Sequence, residues 1–77
     1  MRKIDLFLTE VSELIEKEFI KRKQNWIQEK SFTVSIYDIF DRNYKIEEAY
    51  KELLKLFRDR KYGELIPDIK NIYKTTK

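Results

Sequence analysis

The stretch 31–40, S-F-T-V-S-I-Y-D-I-F, sits between two long helical patterns and constrains every arrangement of them. Phe32, Val34 and Ile36 alternate with Ser31, Thr33 and Ser35, the two-residue period of a half-buried strand. A strand cannot satisfy its own backbone donors and acceptors, so a strand over 31–37 demands a neighbour. The chain offers one candidate, residues 3–8, where Ile4, Leu6 and Leu8 also alternate and Thr9 stands ready to cap a helix from Glu10. Phe7 breaks that alternation.

Residues 4–29 read more strongly as one amphipathic helix. At the helical period, Ile4, Phe7, Leu8, Val11, Leu14, Ile15, Phe19 and Trp26 share a broad face. Acids lead (Asp5, Glu10, Glu13) and bases close (Lys21, Arg22, Lys23), as the helix dipole favours. Glu18 and Arg22 interrupt the apolar face, so its last turns are expected to overhang the core. Ile20 and Ile27 form a second apolar seam on the far side.

A second helix is expected over 44–62, capped by Asn43 and stopped by Gly63 in the left-handed conformation. Ile46, Ala49, Tyr50, Leu53, Leu54, Leu56 and Phe57 form its inner face, and Lys51, Lys55 and Arg58 mark an outer one. Pro67 suits the first turn of a short third helix over 67–74. The expected fold is therefore mainly α: two long amphipathic helices joined by a short strand-like segment, plus a short C-terminal helix. The alternative is α+β, with 3–8 pairing with 32–37. If 31–37 runs back along the first helix, the second lies parallel to the first. Their basic ends, Lys21, Arg22 and Lys23 with Arg58, Arg60 and Lys61, then meet at one end of the molecule.

A chain of 77 residues makes one domain, 1–77, and buries only about 60–65% of its unfolded surface. It holds no cysteine and no histidine, so neither disulfides nor a common zinc site supplements the core. Large side chains must do so, and five phenylalanines, five tyrosines and one tryptophan are available. A protein partner or self-association would also close the deficit.

The same absences argue against an enzyme, removing the usual general base and the thiol nucleophile. Ser12, Ser31 and Ser35 lie in no nucleophile turn, and the single Gly63 rules out a glycine-rich phosphate cradle. Asp38 and Asp41, with Glu47 and Glu48, read as capping acids rather than cation ligands. No cofactor and no small-molecule substrate is implied. The longest apolar run, Leu6-Phe7-Leu8, is far too short to span a membrane. No signal-peptide core opens the sequence, so a cytoplasmic protein is expected.

Charged residues make up 40% of the chain with a net charge of +3, a solvated helical surface first and a nucleic-acid signal second. The leading expectation is a small non-enzymatic binding protein, an accessory subunit, adaptor or inhibitor. Its interface would comprise Ile20, Trp26 and Ile27 with the open strand edge at Phe32, Val34 and Ile36. The alternative is a small DNA-binding regulator. The run A-Y-K-E-L-L-K-L-F-R-D-R-K-Y (49–62) resembles the second half of a winged helix-turn-helix, and a strand-then-helix start resembles ribbon-helix-helix repressors. Both resemblances imply nucleic-acid contacts, and the basic residues the chain could offer for them are Lys21, Arg22, Lys23, Lys51, Lys55, Arg58, Arg60 and Lys61.

Overall fold

The computed structural model describes residues 2–23 and 25–77. Its elements are α1 (Lys3–Arg22), α2 (Trp26–Arg42), α3 (Ile46–Asp59), a 3-10 turn (Gly63–Leu65) and α4 (Ile66–Thr76). No strand occurs among the described residues. The strand-like segment and the α+β alternative are both overturned: residues 31–37 belong to α2 and residues 3–8 to α1. The physical reason is the missing neighbour. A helix closes its own backbone hydrogen bonds, whereas a lone strand here would leave its row of groups unpaired. The β-branched residues Thr33, Val34, Ile36 and Ile39 cost α2 only a few tenths of a kcal/mol each in propensity, far less than orphaned backbone groups.

The single helix expected over 4–29 is two helices, with Gln24 outside the described residues. Lys23 takes the left-handed conformation (φ 52, ψ 44), and its N–H donates to the Phe19 carbonyl. Asn25 is extended, and its side-chain oxygen accepts from the Ile27 N–H at 2.7 Å, which starts α2. Trp26 thereby leaves the inner face of α1. Thr9 caps nothing; its hydroxyl donates to the Asp5 carbonyl one turn back.

Two further boundaries differ from expectation. Asn43 closes α2 instead of opening the next helix, its amide donating to the Ile39 carbonyl at 2.8 Å. At the end of α3 the left-handed residue is Lys61 (φ 68), not Gly63. The Tyr62 N–H reaches the Phe57 carbonyl at 2.7 Å, the Lys61 N–H reaches that of Arg58, and the Tyr62 and Phe57 rings meet edge-on. Those three contacts are a Schellman motif with lysine where glycine is usual. Pro67 sits in the first turn of α4, as its missing N–H permits.

Ring contacts give the helix directions. Near one end Phe7 of α1 meets Phe40 of α2, Tyr50 of α3 and Tyr73 of α4. Near the other Phe19 of α1 meets Phe32 of α2 and Tyr62, and Phe32 meets Phe57 of α3. So α1 and α3 run together while α2 and α4 run against them, an up-down-up-down bundle measuring 32 × 22 × 22 Å. Val11, Ile15, Ile36, Leu53 and Ile69 fill the space between the aromatic clusters. Each cluster draws rings from three or four elements, so the large side chains staple the bundle at both ends.

Glu18 and Arg22 do not overhang the core. Glu18 is 7% exposed and accepts from Arg22 Nε at 2.6 Å. Arg22 donates onward to the Lys61 carbonyl and to the Glu64 carboxylate, and its guanidinium covers the Tyr62 ring. Desolvation works against its charge, yet the hydrogen bond it donates to Glu18 and the charge of Glu64 raise the Arg22 pKa above its ordinary value.

Candidate protein-interaction surface

α2 has two faces of opposite character. At 100° per residue, Phe32, Ile36 and Ile39 lie within about 40° of one direction, and all three are buried. Ile27, Lys30, Ser31, Val34, Tyr37, Asp38 and Asp41 lie within about 60° of the opposite direction, with Trp26 at their edge. On this outward side Trp26 is 69% exposed, Ile27 60%, Val34 50% and Tyr37 46%. Trp26, Ile27, Lys30, Ser31, Val34 and Ser35 line a shallow depression along it. Four large apolar side chains thus share the side of the helix that its own core does not need.

The expected interface is therefore partly redrawn. Trp26, Ile27 and Val34 stand together on α2. Phe32 and Ile36, at 2% and 1% exposure, belong to the monomer core and cannot meet a partner. Ile20 is exposed but lies on α1, beyond the break at Lys23, so it forms no helical seam with Ile27. Tyr37, Lys30, Asp38 and Asp41 were missed because an alternating strand would scatter them. The helical signal was present: Phe32, Ile36, Ile39 and Phe40 recur at i, i+4, i+7 and i+8, and Ile27 and Val34 at seven.

The basic residues separate into three groups. Arg22 is committed to its internal contacts. Lys21, Lys23, Arg58, Arg60 and Lys61 are exposed, and the parallel course of α1 and α3 brings the helix ends that carry them to one end of the bundle. That consequence of the strand argument survives, since a helix of 17 residues returns the chain as a strand would. Lys51 and Lys55 lie on the outward side of α3. Lys55 borders a polar groove with Asp38, Arg42, Glu52 and Asp59.

In that groove Arg42 bridges Glu52 at 2.6 Å, and the Asn43 amide donates to the same carboxylate. The Asn43 hydrogen bond, then that from Arg42, holds the Glu52 carboxyl below its ordinary pKa. Glu52 is thereby tied across to α2, and among the described residues no group of three His, Cys, Asp or Glu side chains could hold a metal ion. No helix is long and apolar enough to cross a membrane among those described. Comparisons with protein-family models, curated proteins and solved structures find nothing that matches this chain.

Proposed function

We propose that this chain is a small binding protein, an accessory subunit, adaptor or inhibitor, acting through the outward face of α2 and doing no chemistry itself. The observation that carries this reading is the apolar content of that face. Trp26, Ile27, Val34 and Tyr37 are exposed together, although the buried side of α2 already completes the core. Contiguous exposed apolar surface rimmed by polar residues marks contact with another chain, and Trp and Tyr are favoured at the centres of such contacts. The occupant that fits a straight ridge of this kind is another polypeptide helix.

A photo-reactive residue at Ser31, beside Ile27 and Val34, tests the reading. Irradiation in cells should give a protein adduct that disappears in Ile27→Lys/Val34→Lys. No adduct, or one indifferent to that double change, would sink it.

The basic end of the bundle supports a second reading, nucleic-acid binding through Lys21, Lys23, Arg58, Arg60 and Lys61. Asp59 and Glu64 lie among these bases, which weakens the field on a phosphate backbone. Binding of that kind should fall steeply with salt and with Lys21→Glu/Lys23→Glu. Contact through the largely apolar α2 ridge should be indifferent to that double change and lose far less to salt.

A further inference from the structure

We infer that the occupant of the α2 ridge is a second copy of this chain, packed antiparallel about a twofold axis near its middle. This rests on the reading of α2 as a protein interface and adds the partner's identity. The argument is charge complementarity along the ridge. Its N-terminal half carries Lys30, and its C-terminal half carries Asp38 and Asp41. Trp26 and Ile27 lie in the first half, Val34 at the middle and Tyr37 in the second half, so apolar surface runs the length of the ridge and the charge reverses along it.

With the two Val34 side chains near the axis, an antiparallel copy brings Lys30 level with Asp38 of the second copy and within a turn of its Asp41, twice over, with Ile27 level with Asp41 and Tyr37 level with Ser31. The same geometry brings the acids close to the positive N-terminal end of the facing helix. A parallel copy would oppose like charges instead. Such an interface is isologous, with one patch serving both copies, and closes at two. The core-facing side of α2 points away from the ridge, so α1 and α3 do not obstruct the approach.

A ridge 17 residues long extends about 25 Å. It buries on the order of several hundred Å² per copy, the low end for a specific interface, so the dimer should be reversible. Sedimentation of the purified full chain from about 10 µM to about 1 mM spans the range where a contact of that size dissociates. The expected result is a monomer–dimer equilibrium. Lys30→Glu alone and Asp38→Lys/Asp41→Lys alone should each weaken it about tenfold, because each creates two like-charge oppositions.

Mixing those two variants should restore dimers near the original affinity, since the mixed pair again sets opposite charges together. All these positions are exposed, and far-UV circular dichroism with thermal melting confirms the fold of each variant. A wild-type monomer across the whole range, or no recovery on mixing, overturns the inference. The Ser31 photo-adduct separates the two levels. An Ile27- and Val34-dependent adduct to a different protein, with the purified chain monomeric, removes the second copy but keeps the interface. No such adduct to any chain removes both.

Discussion

The guanidinium carbon of Arg22 lies 4.2 Å from the centroid of the Tyr62 ring, within cation–π distance. The two residues belong to α1 and to the link between α3 and α4. Around them, Glu18, the Lys61 carbonyl and Glu64 complete the coordination of the same guanidinium. One side chain therefore ties three parts of the bundle together where an apolar residue would fill only the seam.

Arg22→Ala leaves the Glu18 carboxylate buried without its cation. The expected loss is about 2–3 kcal/mol in urea unfolding, below the cost for a wholly buried pair because the Arg22 side chain is 20% exposed. Glu18→Leu/Arg22→Met, which removes both charges, should recover most of it. A double variant no better than Arg22→Ala would show that the ion pair is not the source.

Lys61 occupies a left-handed backbone position at φ 68, where a Cβ is strained. Lys61→Gly should raise stability by about 0.5–1 kcal/mol, the relief of strain less the greater entropy of glycine in the unfolded chain. Lys61→Ala should leave it nearly unchanged, and thermal melting distinguishes the three proteins.

Phe32 and Val34 would share one face of a strand, but they lie on opposite faces of α2. Phe32→Ala should cost about 3–5 kcal/mol, a large part of the roughly 4–12 kcal/mol expected for a domain of this size. Val34→Ala in dilute monomer should cost less than about 0.5 kcal/mol. Equal losses at the two sites would contradict the helix.

The Glu52 carboxyl has a folded pKa below its unfolded one. Its contribution to stability is thus fully present above the unfolded value, about 4.3, and is lost as pH falls through the lower folded value. Carboxyl-resolved NMR titration should place Glu52 below the ordinary glutamate range. Asn43→Ala should move it upward, since that hydrogen bond is the largest cause of the shift. A Glu52 titration unmoved by Asn43→Ala would refute this account of the α2–α3 junction.

Much of the helical architecture was legible in the chain. The apolar spacing from Ile4 to Phe19, the inner face from Ile46 to Phe57 and the position of Pro67 each marked a helix that the structure contains. Residues 31–40 were misread because two periods coexist there. Phe32, Val34 and Ile36 satisfy the period of two, while Phe32, Ile36 and Ile39 satisfy that of a helix, and periodicity alone does not rank them. The break after Arg22 was hidden for a related reason. Neither Lys23 nor Asn25 is a strong helix breaker, and the cap that Asn25 provides is visible only in the folded backbone.

The sequence by itself determined that the chain is mainly helical, with an aromatic-rich core in place of disulfides or a structural zinc. Those properties follow from residue chemistry and local spacing. Only the tertiary structure decided which faces are spent inside the bundle: Phe32 and Ile36 in, Trp26, Ile27 and Val34 out, Arg22 locked beneath Tyr62. Burial is settled by what lies across the interface between helices, and that neighbour can stand forty residues away along the chain, as Lys61 and Glu64 do from Arg22.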